Sequence, residues 1–376
     1  MDSLTQIVLG AAVGEATLGK KIGRKASLYG AALGTLPDLD VLWVKNAVDS
    51  FTEHRSFSHS LLVLLLVSPL IAWLLKRWHP FDKNKPIITE EQNLSQPDSN
   101  QQKLNQTELI PISFTYYFIS VYAVLATHAL LDWFTVYGTQ LLWPITTYPF
   151  GLGSIFIVDP LYTLPFLLCL VITIIWRQHK VLFLGIILSC SYLAWSLVAQ
   201  ATQADYFKEG LQKKGISIDR SLTLPMPLNT LLWKNITVVD DGYWVSFRSV
   251  FDSKNAPLQT HFFPSEIEKL SLVADTESVQ KLQFFTKGFY QVRELDNGIW
   301  LSDLRMGGFG HFVFNFRVAE RKKGDIVKPN IVTSVTHRGN KELLSSVMNR
   351  IWQRIFDEKV ELFDLFETAQ MVQYEK

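Results

Sequence analysis

Apolar runs fill the first two hundred residues of this chain, and motifs rich in carboxylates and imidazoles stand at their ends. The motifs read Pro37-Asp38-Leu39-Asp40, His54-Arg55-Ser56-Phe57-Ser58-His59-Ser60 and His128-Ala129-Leu130-Leu131-Asp132. Burying such side chains beside lipid is costly unless something compensates, so the pattern points to a metal site at the surface of a membrane domain. Composition supports the membrane half of that reading. Of 376 residues, 48% are hydrophobic and 19% charged, against about 25% charged in a soluble domain, and mean hydropathy is +0.13. A net charge of +1 offers no bulk attraction to nucleic acid. Cys169 and Cys190 lie inside apolar runs and read as small core residues. The start, Met1-Asp2-Ser3, lacks the basic stretch of a cleavable signal.

The chain reads as an α-helical integral membrane domain over 1–200, of about six helices with two of them short, followed by a soluble α+β domain over 201–376. Leu4–Leu18 and Ala26–Leu36 are rich in Ala and Gly and read as a tightly packed hairpin. Ser60–Leu75 follows, then a polar stretch over 80–106 read as a flexible cytoplasmic loop. Ile112–Leu131 matches the roughly 20 apolar residues that cross a bilayer. Ile155–Trp176 and Val181–Ala199 complete the set. Threaded up and down, these helices gather Lys20, Lys21, Arg24, Lys25, Lys76, Arg77, Lys83, Lys85, Arg177 and Lys180 on one face. The positive-inside rule makes that face cytoplasmic and puts all three motifs, and the second domain, on the other side.

His128 and Asp132 are four apart on a helix and share one face. Alone, they fit a capping acid beside a hydrogen-bonded His as well as a metal pair. His59 taken singly reads as structural, with Ser58 a cap for the next helix, and Arg55 is free to meet an anion. Asp38 and Asp40 follow Pro37 at a helix C-terminus, where carboxylates oppose the macrodipole, which favours a cation nearby. Together, three carboxylates and three imidazoles on one face fit a site of one or two metals. Gln6 lies on the same face and could orient a ligand. Glu15 is an acid within an apolar helix and therefore a functional candidate. Asp159, before Pro160, reads as an N-cap with a functional role as the alternative.

These segments, with Met1-Asp2-Ser3-Leu4-Thr5-Gln6, Tyr137-Gly138-Thr139-Gln140 and Asp159-Pro160-Leu161-Tyr162-Thr163, resemble the LexA-regulated family of bacterial inner-membrane, metal-dependent hydrolases over roughly residues 1–200. Many relatives open Thr-His where this chain has Thr5-Gln6. The resemblance implies a multi-pass protein of the bacterial inner membrane that hydrolyses its substrate with a metal-activated water. Its ligands would be Asp38, Asp40, His54, His59, His128 and Asp132, holding one or two ions, Zn²⁺ first and Mn²⁺ second. Arg55 and Asp38 are the catalytic candidates, with Arg55 neutralising a phosphate oxygen. A remoter similarity to zinc-dependent phospholipases C, which also use a His-x-x-x-Asp pair, implies a phosphoester of a lipid or lipid-linked molecule. Membrane lipids are the expected partners, and nucleic acid is not.

Beyond residue 200, Trp233–Val239, Gly242–Phe251, Lys281–Phe285 and His311–Val318 carry strand-type content, and Lys341–Glu367 has helical spacing. Asp303, Arg305 and His311 read first as structural. The rival to hydrolysis is a non-enzymatic metal-dependent lipid-binding or transport protein. A transporter places polar residues at midplane in broken, repeated helices, whereas these stand at helix ends without a repeat.

Overall fold

The computed structural model describes residues 1–43, 46–79, 81–88, 107–295, 297–308, 311–322, 325–327, 332–335 and 341–365. Its helical part begins with α1 (Ser3–Ile22), capped by Asp2, whose carboxylate accepts from the Thr5 amide. Gly23 ends α1 at φ +69°, a conformation open to glycine, and turns the chain into α2 (Lys25–Thr35). The two helices touch backbone to backbone. A Cβ on Gly30 would lie 2.1 Å from the Gly10 carbonyl oxygen, and one on Gly34 would lie 2.6 Å from that of Gln6. The small-residue spacing of Gly10/Gly14 and Gly30/Gly34 therefore gives the tight hairpin that the composition led us to expect.

A 3₁₀ turn (Pro37–Leu42) follows, then α3 (Ala47–Thr52) and a second turn (Phe57–His59) into α4 (Leu61–Trp78). The cap of α4 is Ser60, which accepts from the Val63 amide, rather than Ser58, whose hydroxyl is engaged elsewhere. Next come β1 (Phe81–Ile88) and its antiparallel partner β2 (Thr107–Pro111). The flexible loop expected over 80–106 thus starts with a strand, because 81–88 has a partner within reach across the connection. Residues 80 and 89–106 lie outside the described residues. Then follow α5 (Phe114–Trp133), α6 (Pro160–Trp176) and α7 (His179–Lys213). Of these helices, α4, α5 and α7 are long and apolar enough to cross a membrane, and α6 is a shorter apolar helix. Continuing past residue 200, α7 turns a second stripe, Gln203, Phe207 and Leu211, inward, and Phe207 packs with Trp233 of the sheet region.

That region holds two antiparallel sheets. The first is a meander of β3 (Arg220–Pro225), β4 (Leu232–Val239), β5 (Gly242–Ser249) and β6 (Gln259–Pro264). After it come α8 (Glu277–Phe285), β7 (Tyr290–Leu295), β8 (Gly298–Asp303), the short pair β9 (Gly307–Gly308) and β10 (His311–Phe312), β11 (Asn315–Lys322), β12 (Asp325–Val327) and β13 (Thr333–Val335). The second sheet runs β12-β11-β8-β7, with β13 also on β11. The expected strand at Lys281–Phe285 is the end of α8. Val279, Leu282 and Phe285, three apart, face one core, and that helical period overrides the β-type content of the short window. Last is α9 (Lys341–Phe356), shorter than the expected Lys341–Glu367; residues 366–376 lie outside the described residues.

Inside the first sheet's core, Lys234 is buried and donates to the Gly307 carbonyl at 2.6 Å. Burial lowers its pKa to about 8, with Asp303 opposing the shift. The unfolded amine keeps its proton to about pH 10.4. Between these values the unfolded state binds more protons, so stability rises with pH. Lys234→Met is expected to remove its share of that rise, to which Lys287 also contributes, and to be more stable below pH 8 by roughly 1–3 kcal/mol, as read by thermal unfolding across pH 6–10. A variant with an unchanged pH profile would contradict this.

Candidate metal centre

Four side chains meet where α1 and α4 start, α5 ends and the first 3₁₀ turn begins: Asp38, His59, His128 and Asp132. Their facing atoms lie close. His59 Nε2 is 3.1 Å from His128 Nε2, 3.4 Å from Asp38 Oδ1 and 3.2 Å from Asp132 Oδ2. His128 Nε2 is 3.5 Å from Asp38 Oδ1 and 3.4 Å from Asp132 Oδ2. Ligands about 2.0–2.1 Å from a tetrahedral ion stand about 3.3–3.4 Å apart, so these separations suit one ion at the centre.

The hydrogen bonds behind the four atoms show which of them carry protons. His128 Nδ1 is 2.7 Å from the Gly34 carbonyl, which can only accept, so the ring hydrogen sits on Nδ1. Ser58 gives its hydroxyl hydrogen to Asp40 Oδ2 at 2.7 Å and so accepts from His59 Nδ1 at 2.9 Å. With each ring neutral, its Nε2 turns a lone pair to the centre. Asp38 Oδ1 and Asp132 Oδ2 are buried and without a hydrogen-bond partner among the described residues. Four such donors at these distances are held together by a cation between them or by protons on the imidazoles. These residues could hold one divalent ion, and their outer partners fix ring tautomer and orientation as metal sites require.

The other oxygen of Asp132 is held by cations and amides. Gln6 Nε2 donates to Oδ1 at 3.1 Å, Arg55 Nη2 is 3.3 Å away, and the Met1 amino group pairs with the same atom. Arg55 is thus buried against Asp132, with Nη1 donating to Thr135 Oγ1 and the guanidinium 5.1 Å from the Tyr137 ring. The expectation of a guanidinium free for an anion is corrected here; among its side-chain nitrogens Nε has no partner within the described residues. Arg55 sits at φ +65°, in the left-handed region. This turn aims its amide at Asp40 Oδ2 (2.9 Å) and its carbonyl at the Gln140 amide (2.9 Å).

Asp40 and His54 stand beside the cluster rather than in it. Asp40 Oδ1 pairs with His54 Nδ1 at 2.7 Å, and Oδ2 takes the Arg55 amide and Ser58. Burial resists the charge of Asp40, but His54, Ser58 and the Arg55 amide together hold its carboxyl below the usual range. Glu15 is well away, nine residues or about 13 Å further along α1 than Gln6. It pairs with Arg177 at 2.6 Å and accepts from Ser27, because Arg177 at the α6–α7 turn is the nearest compensation for a buried acid. Asp159 is the N-cap of α6, accepting from Leu161, Tyr162 and the Tyr192 hydroxyl. Asp303 and Arg305 pair with each other in the C-terminal region; the His311 side chain lies outside the described residues.

The sheet-bearing C-terminal region reaches the site through aromatic rings. Tyr137 packs on Phe51, Phe285 and Phe314 and lies edge-on to His54 at 5.6 Å. Its hydroxyl donates to the Phe51 carbonyl at 2.7 Å, and Lys281 pairs with Asp49 at 3.2 Å. The sequence offered Tyr137 only as part of the resembling segment, with no role at the site, and Phe51 of α3 was not singled out, since a lone aromatic carries no spacing signal. Tyr137→Phe is expected to lose about 1 kcal/mol in thermal unfolding while keeping the ring under Arg55; a null effect would mean the hydroxyl bond contributes nothing.

No curated protein and no solved structure matches the chain at a significant level. A family profile described as YdjM inner membrane protein matches residues 1–202, the part that carries all four converging side chains. This protein therefore belongs to the YdjM family of inner membrane proteins.

Proposed function

We propose that the chain is a membrane-bound, metal-dependent hydrolase acting on a phosphoester of a lipid or lipid-linked molecule. The observation that carries this reading is the set of four donor atoms drawn to tetrahedral separations at the end of apolar helices. Two imidazoles and two carboxylates suit Zn²⁺ first and Mn²⁺ second. A divalent ion in such a site lowers the pKa of water towards about 7 and polarises a phosphoryl oxygen. In this reading Asp38, the cluster member reached from outside, takes the proton of the attacking water as the phosphorus–oxygen bond to the leaving alcohol breaks, and passes it to that alcohol's oxygen. Arg55, buried against Asp132 Oδ1, holds that carboxylate in place. Asp40, held by His54 and Ser58, orients His59. Gln6 restrains Asp132 Oδ1, leaving Oδ2 for the centre.

The basic turns at Lys20–Lys25, Lys76–Arg77 and Arg177–Lys180 lie at the helix ends opposite the cluster. By the positive-inside rule we assign those turns to the cytoplasm, and the cluster and second domain to the extracytoplasmic side of a multi-pass protein. The test is phospholipid phosphoester hydrolysis in liposomes with Zn²⁺ or Mn²⁺ supplied. Turnover in wild type and its loss in folded Asp132→Ala is the expected result. Equal turnover in that variant would remove the catalytic assignment, and metal binding without any turnover would leave the lipid-binding role.

A further inference from the structure

Of the four cluster side chains, His59, His128 and Asp132 are sealed, and Asp38 alone is part-exposed, at 25%. Whatever reaches the cluster therefore passes Asp38. The ground around it is apolar and uncovered. On the Asp38 segment itself, Leu39 and Val41 are exposed, with Leu42 at 72% and Trp43 at 69%. Across from it, Phe57 sets its ring against Trp143 at 6.4 Å, and Ile145 is 76% exposed. An apolar patch of this kind on a water-facing surface signals something that covers it.

The depth of these residues says what that is. The Gly34 carbonyl bonds His128, so the end of α2 is level with a residue five positions, or about 7 Å, inside the end of α5. The run from Leu36 to Trp43 starts at that level. On the other side the amide of Leu61, the first residue of α4, donates to the Leu141 carbonyl at 3.0 Å, which sets the 141–145 loop at the head of that helix. Both apolar patches thus lie at the height where spanning helices leave the hydrocarbon, the layer in which Trp side chains gather. A second copy of the chain could also cover them, but lipid already surrounds the helices at this level.

We propose that the Leu39–Trp43 segment and the Phe57/Ile145 patch are bedded in the bilayer interface. The cluster then opens sideways to lipid, and its ligand is a bilayer-resident amphiphile that lays its chains along these side chains and its head at Asp38. The placement stands on burial and depth alone; the substrate class rests on the hydrolase reading above. A ligand arriving from water would have to cross the apolar rim, whereas a lipid reaches Asp38 without leaving the interface.

The test uses the full chain in phosphatidylethanolamine/phosphatidylglycerol nanodiscs, with Cys169 and Cys190 replaced by Ala. Nitroxides are placed singly at Leu42→Cys, Ile145→Cys and, as the aqueous reference, the exposed Glu53→Cys. Collision with oxygen is expected to exceed collision with a water-soluble nickel chelate at 42 and 145, and the order to reverse at 53. Aqueous ratios at both 42 and 145 would overturn the proposal, as would short label-to-label distances showing two copies packed on this face. Hydrolysis is scored separately. Lipid-type ratios without turnover of any phosphoester would uphold the placement and sink the hydrolase reading. Aqueous ratios with intact turnover of bilayer phospholipid would sink the placement alone.

Discussion

Removing the divalent ion with a chelator is expected to destabilise the wild-type protein strongly and to leave Asp38→Asn almost unmoved. An ion held at one hundred times its Kd stabilises the folded state by about 2.7 kcal/mol, and at one thousand times by about 4.1 kcal/mol. The size follows from the donor set. Without an ion, two carboxylates and two imidazole nitrogens face one another within 4.8 Å and the ligand bonds are lost. Asp38→Asn removes one of the charges, so the stripped variant should equal or exceed the stripped wild type in stability. The same substitution, His128→Ala and Asp132→Asn should each lower the metal content measured by elemental mass spectrometry on detergent-purified protein. Losses should be larger than the ~10–100-fold in affinity that an outer partner such as Ser58 or Gln6 would cost. A chelator effect of the same size in Asp38→Asn and wild type would sink the four-donor site. So would wild type that binds no Zn²⁺ or Mn²⁺ when either is supplied.

Gly30→Val is expected to separate α1 from α2 and to abolish the cluster with them. A Cβ there would meet the Gly10 carbonyl oxygen at 2.1 Å and its carbon at 2.9 Å, and both atoms are backbone with no side-chain freedom to yield. Overpacking commonly costs about 1–3 kcal/mol, and a helix pair in backbone contact leaves the larger end of that range as the minimum. The consequence extends beyond stability, because α2 carries the Gly34 carbonyl that holds His128 Nδ1 at 2.7 Å. Moving α2 outward frees that ring to turn its Nε2 away from the centre. Gly23→Ala is the control: at φ +69° it is strained, yet nothing lies within 4 Å of its Cβ, so it should cost about 1 kcal/mol and keep the metal. Unfolding and metal content in the two variants check this. Full metal binding in Gly30→Val would show that the hairpin does not position the site.

The positions of the apolar helices and the polar residues at their ends are legible from residue order, since a run of apolar side chains with a charged stop is a one-dimensional signal. Asp38, His59, His128 and Asp132 could be nominated as a group for that reason. The division of the six candidates into four converging donors and an outer Asp40–His54 pair was not legible. It depends on which oxygen or nitrogen each backbone turn aims inward, and Arg55 in the left-handed region decides this for Asp40. Glu15 looked functional because a lone acid in an apolar helix has no local partner. Its partner, Arg177, is 162 residues away along the chain and adjacent only after α6 and α7 pack. The end of α8 was misread as a strand because Lys281–Phe285 is too short a window to distinguish the two periods.

Residue order by itself determined that this chain must put apolar helices out of water and must collect carboxylates and imidazoles at their ends, because burial and hydropathy act through local composition. Only the tertiary structure decided which lone pairs meet, which ring nitrogens donate their hydrogens to Gly34 and Ser58, and that Tyr137 ties the site to the sheet-bearing C-terminal region. Those outcomes depend on distances of a few tenths of an ångström between segments far apart in the chain, and no local pattern encodes such distances.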